Sequence, residues 1–296
     1  MNIEDIRQFF SEEIAAVANI KTERLAAAFA RVPREHFLGP GPWQIANPDA
    51  LQSPTGHGQA SNYRTTPDAD PRRLYHNVVV AIDPERQINN GQPGSLAMWL
   101  DSLELKEGDQ AVHIGCGVGY YTAIIAETVG PTGKVIGVEV EAELAKRANE
   151  NLSYLGNANA VHADGGNYDP ASLNALFVNA GATHPRTAWL DSLLPGGRLV
   201  FPLTIAQGAN VHGMGFMLKV KRESIGYSAR FMSSVMIFPC AGTRNEDANQ
   251  RLQQSLMKGT WTTVQSLRRD THEADETCWL HGDDFCLSTS PLATEN

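Results

Sequence analysis

The stretch HIGCGVGYYT (113–122) decides the fold. It places Gly115, Gly117 and Gly119 in a G-x-G-x-G spacing between a short apolar run, QAVHIG (110–115), and a helical pattern, YYTAIIAETV (120–129). Glycines at such a bend permit positive φ and let a ligand approach the backbone. The helix that follows aims its free N–H groups at that ligand. A glycine-rich loop alone is weak evidence, so its surroundings must decide.

Downstream the chain alternates regularly. GKVIGVEV (133–140) reads as a strand, EAELAKRANENLSYLG (141–156) as a helix ended by Gly156, and NAVHAD (159–164) as a short strand. LNALFVNAG (173–181) and GGRLVFPL (196–203) read as strands flanking a helix, PRTAWLDSLL (185–194). A strand–helix unit about every 25 residues predicts βαβ connections. The expected fold is therefore α/β, a doubly wound Rossmann-like sheet that is mostly parallel. GFMLKVKRE (215–223) and SVMIFPCAG (234–242), separated by the turn-prone SIGYSAR, should add an antiparallel edge.

Two acids complete the pattern. Glu139 ends the strand after the glycine loop, about 20 residues on, where a carboxylate meets ribose hydroxyls. Asp164 ends the next strand, ahead of Gly165, where an acid can meet an adenine amino group. Tyr120 stands where a dinucleotide fold, counted from Gly115 and Gly117, would need its third glycine, and no Lys-Ser/Thr pair follows the glycines as in a phosphate-cradling loop. This constellation points to S-adenosylmethionine as cofactor.

The flanks are less regular. Apolar positions at helical spacing over residues 3–31 predict two amphipathic helices, the second ended by Pro33. Residues 39–71 read as a long irregular loop, LYHNVVVAI (74–82) as a strand, NNGQPG (89–94) as a turn, SLAMWLDSL (95–103) as a helix, and ANQRLQQSLMKGTW (248–261) as another. The expected organisation is N-terminal helices and substrate-side loop over 1–88, a cofactor-binding domain over 89–242, and a C-terminal extension over 243–296.

The 296 residues carry a formal net charge of −9 and no Lys/Arg-rich run, which argues against a nucleic-acid partner. No apolar stretch approaches the roughly 20 residues of a membrane span. The acidic N-terminus lacks the pattern of a signal peptide, so a cytoplasmic protein is expected. Cys116, Cys240, Cys278 and Cys286 form no CxxC and no recognised zinc spacing; reduced thiols and no metal are expected. Cys278 and Cys286 are close enough in sequence to pair under an oxidant.

The chain resembles the protein-L-isoaspartate O-methyltransferase family of S-adenosylmethionine-dependent enzymes. The resemblance runs from about residue 22 to 242. It rests on RVPREHF (31–37), GHGQ (56–59), QPGSLAMWLDSL (92–103), KEGDQAVHIGCGVGYYTAIIAETVG (106–130) and VNAGATHPRTAWLDSLLPGGRLVFPL (178–203). It implies cofactor contacts from His113, Gly115, Cys116, Gly117, Gly119, Tyr120, Glu139, Val140, Asp164, Gly165 and Asn179. It implies that Asn90, Gly91, Gln92 and Ser95 lie near the donor methyl. It also implies O-methylation of a carboxylate on a protein or peptide.

The departures are specific. The family places Ser or Thr before the Gln-Pro pair, where this chain has Gly91; Asn89, Asn90 and Ser95 are the nearby polar substitutes. An acid is usual where His113 stands. Arg64, Arg72, Arg73 and His76 are candidate cationic groups for a carboxylate. Two alternatives follow: methylation of a small molecule or peptide natural product, and a non-catalytic module that binds the cofactor.

Overall fold

A computed structural model of the chain describes residues 2–47, 62–205 and 212–292. Three helices open it: α1 (Ile3–Ala18), α2 (Glu23–Arg31) and α3 (Arg34–Leu38). Asn2 and Asp5 form a reciprocal capping box on α1, satisfying two N–H groups that the first turn leaves free. Strands β1 (Gln44–Ala46) and β2 (Tyr63–Thr65) pair antiparallel where an irregular loop is expected from sequence. GHGQ (56–59), within that loop, lies outside the described residues.

The strand expected over 74–82 does not form over most of its length. Residues Pro71–Leu74 make a 3-10 turn, and extended pairing starts only at β3 (Ala81–Asp83), which forms a hairpin with β4 (Ile88–Asn89). The buried Arg34 guanidinium explains this. It donates to the backbone carbonyls of Leu74, His76 and Val78, groups a strand would have offered to a neighbour. The RVPREHF motif thus braces the chain beside the cleft.

The remaining elements are α4 (Pro93–Asp101), β5 (Gln110–Ile114), α5 (Tyr120–Val129), β6 (Lys134–Glu139), α6 (Ala142–Leu152), β7 (Ala158–His162), β8 (Leu173–Val178), α7 (Thr187–Asp191), β9 (Leu193–Ile205), β10 (Gly213–Glu223), β11 (Gly226–Ile237), α8 (Glu246–Lys258), β12 (Ser266–Arg268), β13 (Cys278–His281) and β14 (Cys286–Ser288). One sheet runs β13-β14-β12-β11-β10-β9-β8-β5-β6-β7. Strands β5 to β9 are mutually parallel, and β10 onward pair antiparallel. The Rossmann-like fold is as expected. The C-terminal segment continues the same sheet, with β12 pairing β11.

Several boundaries differ from expectation. Helix α6 stops at Leu152, before Gly156. Helix α7 is a short turn, because Leu193 already pairs with Leu173 in the parallel ladder. Most of SIGYSAR is strand: Tyr227 pairs with Arg222 and Arg230 with Lys219, so the hairpin turns within two residues.

Both sheet faces are covered. Ala111, Ala175 and Phe177 point to one face, packed under α1, α2, α4 and α5 with Phe10, Phe29 and Leu100. Their neighbours Val112, Ile114, Leu176 and Val178 point to the other, against Trp189 of α7 and Leu252 of α8. The period of two along each strand makes this division. Among the described residues no helix is long and apolar enough to cross a membrane.

Candidate active site

After β5 the chain crosses to β6 and β7 on one side, then returns to β8 and β9 on the other. A crevice opens at the strand ends where the direction reverses, and ligands of open α/β sheets bind there. Here it is a cleft of about 1120 Å³. It is lined by Gly91, Gln92, Ser95, Gly115, Gly117, Glu139, Val140, Gly165 and Asn179 among the residues expected from sequence.

The three loop glycines have different surroundings. A Cβ on Gly115 would sit 3.1 Å from the carbonyl oxygen of Asn179, across the crevice floor. One on Gly119 would press on Ala148 and Leu152 of α6 at 3.3 Å. Gly117 alone has room: a Cβ there would meet only Ile82, at 3.9 Å, in the space between loop and hairpin. Its φ of +56° is a region that L side chains avoid. That space is a cradle a side chain would fill, and it fits a cofactor that lies against bare backbone.

Glu139 is 6 % exposed at the end of β6. Its carboxylate accepts the N–H of Gly117 at 2.7 Å, of Val140 at 2.9 Å and of Glu141 at 3.1 Å. Burial pushes its carboxyl above the usual range, and the three N–H groups oppose that shift. Asp164 behaves differently. Its oxygens accept from Gly166 N–H at 2.9 Å and from the Asn167 side-chain amide at 2.7 Å, so it caps its own turn; Gly165, not Asp164, lines the cleft.

His113, Cys116 and Tyr120 face the core. His113 is fully buried, bonded through Nδ1 to Thr122 Oγ1 at 2.9 Å and set beside the Phe177 ring. Burial pushes its imidazole pKa down to about 3, which keeps it neutral. Its neighbour Ile114 takes the opposite face, so strand alternation sends His113 away from the ligand side. Cys116 is buried against Gly137. Tyr120 is buried beneath Phe37.

On the opposite wall Gly91 has φ +69°, and a Cβ there would lie 2.8 Å from Leu96 Cδ2. Asn89 uses its oxygen on Gly91 N–H and its amide on Gln87 O. Asn90 is buried outside the cleft lining, its amide nitrogen without a hydrogen-bond partner among the described residues. Asn89 and Ser95 both line the cleft, and of the two Ser95 is the one that carries a hydroxyl. Among the arginines, Arg72 and Arg73 pair with Asp70 and Asp68 on the surface, and neither lines the cleft.

Sequence reading missed the hairpin wall. Ile82, Arg86 and Ile88 line the cleft, and Arg86 reaches Glu141 at 2.7 Å. The Asp83-Pro84 pair between short apolar runs was the available signal. It also missed the end of β11 and the residues after it, where Ser234, Met236 and Phe238 close the far side.

Residues 63–239 match the family model for protein-L-isoaspartate(D-aspartate) O-methyltransferase. A protein-L-isoaspartate O-methyltransferase of Ignicoccus hospitalis is 28% identical over 80% of this chain and 98% of its own length. One of Methanothrix thermoacetophila is 31% identical over 64% of this chain and 78% of its own. The fold is shared with a Plasmodium falciparum structure described as a protein-L-isoaspartate O-methyltransferase in complex with S-adenosyl-L-homocysteine, at TM-score 0.58 and 16% identity, covering 80% of this chain and 98% of that one. The chain belongs to the protein-L-isoaspartate(D-aspartate) O-methyltransferase family and is an S-adenosylmethionine-dependent methyltransferase.

Proposed function

We propose that this enzyme methylates a carboxylate on a protein or peptide, with isoaspartyl sites as the acceptor class. The observation that carries this reading is the position of the α4 N-terminus. Gln92, its N-cap, and Ser95, in its first turn, open into the same cleft as Gly117 and Glu139. A helix N-terminus with amide and hydroxyl donors suits an anion. A carboxylate acceptor is ionised at neutral pH and needs no general base.

When bound, S-adenosylmethionine supplies an already activated methyl group. The chain's own work is then positioning. Glu139 would accept the ribose hydroxyls while the loop at Gly117 lies against the cofactor. Gly165 and Asn179 would flank the adenine end, with Asp164 shaping that loop. Gln92 and Ser95 would orient the acceptor carboxylate, Ser95 in place of the hydroxyl absent at Gly91. The net charge of −9 suits a peptide better than a nucleic acid. Four unpaired cysteines suit the reducing cytoplasm.

The test is incubation with methyl-labelled S-adenosylmethionine and matched isoaspartyl and aspartyl peptides. Base-labile ester on the isoaspartyl peptide alone is the expected result. Tight cofactor binding with no ester on either peptide would overturn the acceptor and leave the cofactor site standing.

A further inference from the structure

The C-terminal segment brings together four side chains that the methyltransferase cleft does not use. The chain leaves β12, passes His272, enters β13 at Cys278, leaves it at His281, and returns along β14 from Cys286. One nitrogen or sulfur atom from each lies within 4.8 Å of the others. Both cysteines are free thiols.

We propose that His272, Cys278, His281 and Cys286 form a tetrahedral site for a zinc-class divalent ion, which staples the C-terminal hairpin to the loop before it. Two thiolates and two imidazoles are a donor set that zinc prefers. The two thiolates balance the charge of the ion, so a partly buried site carries no net charge.

The geometry is close to what the ion needs. Bonds of about 2.0–2.3 Å in a tetrahedron set ligand atoms roughly 3.3–3.8 Å apart. His272 Nε2 and Cys278 Sγ already stand 3.5 Å apart. Drawing in the other atoms takes shifts of about 1 Å, within reach of small side-chain rotations.

The surroundings are those of a ligand set. His272 donates its Nδ1–H to the carbonyl of Asp270 at 2.9 Å, which leaves the Nε2 lone pair toward Cys278. Metal-bound histidines are held this way by a second hydrogen bond. Asp275 N–H donates to Cys278 Sγ at 3.4 Å, a contact that stabilises a thiolate. The Asp275 carboxylate beside it accepts from Thr277 N–H and hydroxyl, pairs with Arg268 at 3.6 Å, and accepts from the Cys278 thiol at 3.5 Å, a bond that the thiol gives up when it ionises to bind the ion. His281 Nδ1 is buried with no hydrogen-bond partner among the described residues. An orphaned imidazole nitrogen there is costly unless something accepts its lone pair.

The site also answers a structural need. Strands β12 and β14 have three residues each, and β13, at the sheet edge, has four and among the described residues pairs only with β14. Such short strands gain much from a cross-link. The spacing H-x5-C-x2-H-x4-C has no CxxC, so no familiar motif marks it. The hairpin register, with His281 opposite Cys286, assembles it.

The test uses the full, untagged chain purified with zinc present and passed through gel filtration. Mass spectrometry should find about one equivalent of zinc. Cobalt exchanged into the wild type should give the intense visible bands of a tetrahedral ion and a thiolate charge-transfer band. Cys278→Ser and Cys286→Ser should each lower bound zinc at least tenfold. Because those variants can misfold, native wild type is also titrated with a thiol reagent; chelator treatment should expose two additional thiols. A metal-free wild type after zinc loading, an octahedral cobalt spectrum, or a Cys278–Cys286 disulfide in protein prepared without oxidant would each overturn the proposal.

Discussion

Glu139 and Gly117 are joined by a 2.7 Å hydrogen bond, so the end of β6 is tied to the glycine loop that follows β5. The carboxylate is both a brace for the loop and the acid that faces the cleft. Hydrogen bonds to a charged group contribute about 1.5–3 kcal/mol, so Glu139→Ala should weaken S-adenosylmethionine binding at least ~10-fold. Calorimetry reads the loss, and a change below about twofold would mean the acid only braces the loop.

The same residue predicts a pH dependence. Burial holds its pKa above that of a free carboxylate. The ionised form is the one proposed to accept from ribose, so affinity should fall as pH drops through this raised value, earlier than a solvent-exposed Glu would produce. The sign for stability is opposite. The folded chain holds this proton more tightly than the unfolded one, so the contribution favours folding at acid pH and is lost as pH rises through the raised pKa. Calorimetry across mildly acid pH, with Glu139→Gln as the non-titrating control, checks the first effect.

Restoring the family's hydroxyl at Gly91 should not improve this enzyme. With φ +69°, a serine costs about 1–2 kcal/mol in backbone strain, and its Cβ would lie 2.8 Å from Leu96 Cδ2. Gly91→Ser should therefore lower both turnover and stability. Ser95→Ala should reduce turnover with little effect on folding. Methyl ester formation and denaturant midpoints separate the two variants.

Arg34 should be a large structural contributor although it does not line the cleft. It is fully buried and donates to three backbone carbonyls of the segment 74–78. Removing it leaves those acceptors unsatisfied, at about 1–3 kcal/mol each if water cannot reach them. Arg34→Met should destabilise the chain by at least ~3 kcal/mol in urea unfolding. Arg34→Lys should recover little, because an ammonium lacks the planar fork that reaches several carbonyls.

The parallel half of the fold was legible because strand length, helix period and the 113–122 loop all agree on one topology. The cleft floor was legible for the same reason: Gly115, Gly117, Glu139 and Gly165 fall at strand ends. Motif position alone could not tell which neighbours face the ligand. His113 and Tyr120 sit inside the motif, yet strand alternation and helix packing turn them into the core. The 74–78 segment was misread because its hydrogen bonds go to Arg34, some 40 residues earlier in the chain. Long-range bonds of that kind leave no periodic trace.

His113 supplies a test of that placement. Burial lowers its pKa to about 3, while the unfolded chain holds it near the ordinary histidine value. The unfolded state therefore takes up a proton that the folded state refuses. The resulting stability is present above the unfolded pKa and is lost as pH falls toward the folded one. Between about pH 7.5 and about pH 5 the loss from this residue is about 2 kcal/mol. His113→Gln should show a correspondingly flatter stability profile, read by urea unfolding at the two pH values. An unchanged pH slope would mean that His113 is accessible to protons in the folded chain.

The glycines of the loop should separate binding from folding. Gly117 faces open cleft, with Ile82 3.9 Å from the position of a Cβ. Gly119 faces α6, with Ala148 and Leu152 at 3.3 Å. A valine at 117 would enter the space proposed for the cofactor. A valine at 119 would wedge α5 from α6, and overpacking of this kind costs about 1–3 kcal/mol. Gly117→Val should therefore abolish detectable cofactor binding while losing only the backbone strain of a positive φ. Gly119→Val should lose more stability than Gly117→Val and retain measurable binding wherever it still folds. Calorimetry and urea unfolding on both variants decide the matter. Wild-type affinity in Gly117→Val would remove the loop from the cofactor site, whatever happens at Gly119.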